Sequence, residues 1–257
     1  MSRPDRSVRV HTPAPLLSID RLDQDPASPP PVPTRISALS VSGAQGQKAR
    51  VTLDDGTDLE LDTETVLVAN LRKGDPVDAQ LRARLVEAST RWRIREAGLR
   101  LLAHRARTRR ELATRLRKKG FPGRLVESVL TDFEERGWLD DAAFARSWIQ
   151  DRLRIRPRGR RALLAELRRK GVDAGEAEAA LDEAFRDPGV SDRDIALELA
   201  EGWLRKQPAA LGDALLRGGF DPDAEAARRR FTGYMARRGI SGGVTRATLD
   251  RLREERA

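Results

Sequence analysis

The sequence predicts a mainly α protein, an array of tandem three-helix repeats preceded by a small N-terminal antiparallel β segment. Two observations predict it. One frame recurs three times, as Leu112, Leu116, Lys119, Gly120, Phe121, then Leu163, Leu167, Lys170, Gly171, Val172, then Phe231, Met235, Arg238, Gly239, Ile240. The hydrophobic period also switches to two between residues 35 and 76. A period near fifty residues marks units too small to bury an apolar face alone, each leaning on its neighbours. Function is therefore expected on an extended surface.

The elements follow in chain order. Residues 1–34 hold eight of the fourteen prolines, with Pro29, Pro30, Pro31 and Pro33 clustered. Such a segment buries too little apolar surface to order itself and reads as a disordered tail. Residues 35–90 read as a β segment plus a connecting helix. Alternation places strands at Leu39 and Val41, at Val51 and Leu53, and at Leu59 and Leu61, with Asp54, Asp55, Gly56 and Thr57 as a hairpin turn. A fourth strand is expected at Val66 and Val68 before Gly74, Asp75 and Pro76. Because a lone hairpin is marginal in water, the sheet is expected to pack on a helix starting near Val77 and carrying Leu81 and Leu85.

The repeats are read at 91–139, 140–188 and 189–257, the last with an insertion near 208–222. In each frame, apolar residues four apart share a helix face, and the glycine supplies the left-handed conformation that stops the helix. The basic residue before it suits the negative end of the helix dipole. Thr108 and Glu111 fit a capping box. A helix precedes each frame, near 91–105, 140–155 and 191–206. Another follows it, marked by Val126, Val129 and Leu130, by Ala177, Ala180 and Leu181, and by Thr245, Thr248 and Leu249. Within the insertion, Leu211, Leu215, Gly219 and Phe220 mimic the frame without an apolar helix after them.

Charge is uneven. Residues 91–171 carry 24 Lys and Arg against 10 Asp and Glu, whereas the flanking thirds are slightly acidic. At 100° per residue from Leu112, Arg110 and Arg117 point away from the leucine stripe, with Lys118 nearby, and Arg109 joins them as a candidate partner-binding residue. Arg161, Arg168 and Arg169 occupy the matching places of the second unit, and Arg229 and Arg237 those of the third. Arg152, Arg154, Arg156, Arg158, Arg160 and Arg161 extend the patch between units. In this stretch acidic residues do not accompany the arginines along the sequence, so a repeated basic face for a polyanion is expected. The plainer reading is a set of solvated helix faces, since arginine outnumbers lysine 43 to 6.

Chemistry is sparse. The histidines His11 and His104 have no acid cluster around them, and no glycine loop precedes a Lys-Ser or Lys-Thr pair. Asp140 and Asp141 read as the cap and first turn of the helix bearing Phe144 and Trp148. No catalytic residue, metal or cofactor is expected, and the chain reads as a non-enzyme. The absence of cysteine, of a signal-type apolar run and of a bilayer-length stretch points to a cytoplasmic protein without membrane contact.

The string Leu99, Leu101, Leu102, Thr108, Glu111, Leu112, Leu116, Lys119, Gly120, Phe121, Gly137, Trp138, Leu139, Asp140, Asp141, Phe144, Ala145 and Arg146 resembles the first repeat of the RecX family. The stretch from Leu163 to Val172 is similar to the second repeat of that family and Phe231 to Ile240 to its closing one, so the likeness spans about 91–257. The resemblance implies an elongated, curved regulator of the RecA recombinase that lodges in the groove of the RecA filament on single-stranded DNA. It implies restraint of ATP hydrolysis, strand exchange and cleavage of the SOS repressor. RecA and its filament are then the partners, with direct contact to single- or double-stranded DNA as an addition and a monomer as the expected state. The insertion and the N-terminal sheet lie outside the resemblance. The rival reading is a stand-alone DNA-binding protein of nucleoid or transcription-regulator type.

Overall fold

The computed structural model describes residues 34–43 and 47–255. The proline-rich tail expected over 1–34 falls almost wholly outside them. Strands β1 (Thr34–Ser42), β2 (Lys48–Leu53), β3 (Asp58–Asp62) and β4 (Pro76–Val77) form an antiparallel sheet in the order β3-β2-β1-β4. Leu39 faces Val51, which faces Leu59 in turn. The hairpin forms where Gly56 adopts φ of +82°, and Leu53 N–H donates to Thr57 O at 2.9 Å.

The strand expected at Val66 and Val68 is instead helix α1 (Thr63–Val68). The carboxylate of Asp62 accepts the Glu64 N–H at 3.0 Å and starts the turn. Only Val66 reaches the core, while Leu67 and Val68 are 72% and 82% exposed. The fourth strand is supplied by Pro76 and Val77, which pair with Arg35 and Thr34.

Helix α2 (Ala79–His104) runs unbroken through residue 90, where the sequence pattern divides a connecting helix from the first repeat. Its N-terminal half buries Leu85 against Val51, Leu53 and Leu61 of the sheet. Its C-terminal half gives Ile94, Ala97 and Gly98 to the first repeat. A Cβ on Gly98 would come within 2.8 Å of the Phe133 ring, so glycine permits the close approach.

Beyond it the helices come in sets. The first unit adds α3 (Arg109–Lys118) and α4 (Gly123–Glu135) around Leu112, Leu116, Leu130 and Phe133. The second has α5 (Asp141–Ile155), α6 (Arg160–Lys170) and α7 (Ala174–Ala184) around Ile149, Leu163, Leu167 and Leu181. The third has α8 (Asp192–Leu204), α9 (Ala209–Arg217), α10 (Pro222–Arg237) and α11 (Gly242–Glu254) around Trp203, Phe231 and Met235. Gly120, Gly171 and Gly239 all stop their helices at φ between +85° and +92°. The insertion is thus an extra helix, α9, which buries Leu215 and Leu216 in the third core. Phe220, which mimics Phe121 in sequence, is 89% exposed. Each unit owns its core, and Leu153 and Phe185 bridge the last two.

Candidate polyanion and partner interface

The predicted basic residues lie on α3, α5, α6 and α10 and in the turn between α5 and α6, and many of them are paired. Arg117 meets Glu127 at 2.6 Å, and 51 residues on Arg168 meets Glu178 at 3.2 Å. Arg109 binds Glu127 at 2.8 Å and also Glu134. Arg160 meets Asp182 at 2.5 Å, Arg154 meets Asp151 at 3.6 Å, and Arg229 meets Glu225 at 3.3 Å. The expectation that acids do not accompany these arginines is therefore corrected: the partners of Arg109, Arg117, Arg160 and Arg168 stand on the following helix and reach them only through the fold. Exposed pairs of this kind contribute about 0.2–1 kcal/mol each, so a polyanion could displace them at small cost. Arg110, Lys118, Arg156, Arg161, Arg169 and Arg237 are exposed and have no carboxylate within 4.0 Å among the described residues.

The units join through one repeated arrangement. At the first junction Arg109 N–H donates to Asp141 Oδ1 at 2.8 Å and the Thr108 hydroxyl donates to Lys170 O at 2.6 Å. At the second, Arg160 N–H donates to Asp192 Oδ1 at 2.9 Å and Gly159 N–H donates to Arg238 O at 2.9 Å. Asp141 and Asp192 are the first residues of α5 and α8, so each helix start locks onto the middle helix of the unit before it. Burial, with Glu176 and Glu134 nearby, pushes the Asp141 carboxyl above the ordinary range despite the Arg109 N–H. Asp140 accepts the Ala143 N–H at 2.7 Å, the N-cap that the sequence predicts.

Shifting positions by the repeat offsets superposes the two junctions chemically. Arg105, Arg107, Arg154, Arg169 and Lys170 at the first correspond to Arg156, Arg158, Arg205, Arg237 and Arg238 at the second, a cation at all five places. The first junction answers two of them with one carboxylate. Glu111 binds Lys170 at 2.9 Å and Arg105 at 3.0 Å. Glu166, with 8% of its side chain exposed, accepts hydrogen bonds from Arg152 Nε and Trp148 Nε1. Arg158 Nε lies 2.9 Å from the same carboxylate without hydrogen-bond alignment. Burial raises the Glu111 carboxyl, but Lys170 and Arg105 outweigh it and hold it below the ordinary range. Arg107 is 5% exposed and leaves Nη1 without a hydrogen-bond partner.

At the second junction, Ala162 stands where Glu111 does and Tyr234 where Glu166 does. Arg156, Arg158, Arg205, Lys206, Arg237 and Arg238 line a groove there of about 600 Å³, with Glu198 as its single lining carboxylate. Arg238 lies over the Tyr234 ring, 5.2 Å from its centroid. Arg205, Lys206 and Arg238 are absent from the basic face read off the sequence; the repeat offset reveals Arg205 and Arg238, whereas Lys206 falls opposite Ile155 and carries no such signal. Among the described residues no group of three or more His, Cys, Asp or Glu is placed to hold a metal ion.

Serial helical units, each with its own core and joined by cation-rich seams, define a repeat protein suited to contact along an extended partner. The sequence model of the first three-helix domain of RecX matches residues 95–133, and that of the second three-helix domain matches residues 140–181. The regulatory protein RecX of Amycolatopsis mediterranei is 38% identical over 155 residues, spanning 60% of this chain and 80% of that protein. The one from Mycolicibacterium vanbaalenii is 40% identical over 163 residues, spanning 62% and 83%. The chain belongs to the RecX family of regulatory proteins. A crystal structure of regulatory protein RecX superposes with a TM-score of 0.65 at 19% identity, covering 84% of this chain and 99% of the other, and so shares the fold. RecX from Lactobacillus salivarius superposes at 0.50 and 18% identity over 64% of this chain and 97% of its own. No described helix is long and apolar enough to cross a membrane.

Proposed function

We propose that this chain is a negative regulator of RecA that lies along the RecA filament on single-stranded DNA and restrains ATP hydrolysis, strand exchange and repressor cleavage. RecX family membership carries the reading, and the serial architecture supports it: many weak contacts from successive units add along a polymer. The unpaired cations Arg110 and Arg161 stand at equivalent places on α3 and α6 and supply repeated contacts to acidic protein surface or to phosphate. No catalytic step is assigned to the chain. The test is a titration into RecA hydrolysing ATP on single-stranded DNA. Turnover should fall with added protein, and Arg110→Glu with Arg161→Glu should weaken that fall at least about tenfold, equivalent to 1.4 kcal/mol. Undiminished turnover at a severalfold excess of the parent protein would rule the reading out.

A further inference from the structure

We propose that the groove between the second and third units is a phosphate-binding cleft for a single strand of nucleic acid. The inference goes beyond regulation of RecA and stands apart from it, because it requires contact with DNA in the absence of RecA. Its basis is the difference between two copies of one architecture. Both junctions carry cations at the same five places, but the carboxylate that pairs two of them at the first, Glu111 with Arg105 and Lys170, is replaced at the second by Ala162. Of the six cations lining the groove, Arg158 keeps Glu166 at 2.9 Å and Arg205 reaches Glu201 only at 3.8 Å. Arg156, Lys206, Arg237 and Arg238 have no carboxylate within 4.0 Å among the described residues.

Those four come from three parts of the chain: the end of α5, the turn after α8 and the end of α10. They converge on a concavity of about 600 Å³ rather than spreading over a convex face. Uncompensated like charges crowded together are unfavourable unless an anion joins them. A strand of nucleic acid brings several phosphates to so small a space, whereas the surface of a folded protein offers separate carboxylates. Arginine suits this ligand because its guanidinium donates two parallel hydrogen bonds to phosphate oxygens. The groove takes the backbone and reads no base, so affinity should depend on salt and little on sequence.

The experiment is fluorescence anisotropy of the purified full chain with a labelled twenty-residue oligothymidylate, repeated over a salt series and without RecA. Arg156→Glu with Arg237→Glu alters two exposed, unpaired side chains, and circular dichroism checks that the fold is kept. This variant should bind at least about tenfold more weakly, and its log–log salt slope should be smaller by about one to two. Tyr234→Glu, which places a second carboxylate in the lining of the groove, should also weaken binding. Arg84→Glu with Arg246→Glu makes the same change in net charge on exposed arginines elsewhere and should leave affinity within about threefold. Equal losses in the groove and control variants would overturn the proposal, since net charge alone would then explain binding. Tighter binding of duplex than of single strand would overturn it, and so would displacement of the oligonucleotide by polyglutamate at equal charge concentration.

Discussion

The two junctions share a hydrogen-bond plan and differ in how they treat charge. At the first, Glu111 ties Arg105 to Lys170, while Glu166, inside the second unit, holds Arg152 and Arg158. At the second, Ala162 replaces Glu111, and Arg156 and Arg238, the counterparts of Arg105 and Lys170, stand open around a groove. A repeat protein can thus keep one joint as internal mortar and turn its copy outward, by changing one side chain and leaving the backbone plan alone. Stability should be lost by disturbing the first joint's charges, whereas both joints should suffer when their glycines are filled.

The largest effect should separate the joints sterically. A Cβ on Gly239 would lie 2.5–3.0 Å from the Cβ, backbone N and Cα of Ala162, and one on Gly171 would lie 2.3–2.8 Å from the Cδ, Cβ and Cγ of Arg110, of which Cδ and Cγ can swing aside while Cβ cannot. Both glycines have positive φ. Gly239→Val should therefore cost about 4 kcal/mol and Gly171→Val about 2–3 kcal/mol in urea unfolding. Equal losses would mean that backbone strain alone governs both joints.

Glu166→Ala should come next, at about 3 kcal/mol, because it strands Arg152 and Arg158 beside a vacated, nearly buried site. A loss below about 1 kcal/mol would show that water solvates those guanidinium groups and that the network contributes little.

The smallest effect is one of pH. Glu111 is held below its ordinary range in the folded chain, so its contribution is full above about pH 5 and fades as pH falls through the lowered value. Denaturant midpoints at pH 6 and pH 3 should differ less in Glu111→Gln than in the parent, by roughly 1 kcal/mol. Ala162 confers no such acid sensitivity on the second joint. An unchanged pH profile in the variant would show that the Lys170 pair is not coupled to folding.

Much of this was legible in residue order because helix period and glycine stops are local. Leu112, Leu163 and Phe231 occupy equivalent core places with no accessible surface. Val66 and Val68 misled because a period of two over three residues also fits a short helix that buries one side chain, and the cap at Asp62 decides between them. The continuity of α2 was hidden because its two halves bury different faces against different partners. Charge pairing was the least legible part. Arg117 and Glu127, or Arg160 and Asp182, lie on successive helices, and a count of charges along the chain does not show which will meet. The open groove becomes visible in sequence only when Lys170 is set against Arg238, and Glu111 against Ala162.

Helix α2 has one more consequence. Its 26 residues extend about 39 Å, with the β sheet gripped at one end and the leading repeat at the other. A rod so fastened has no swivel, so a push on the sheet arrives at the first three-helix bundle as a turn of the whole lever.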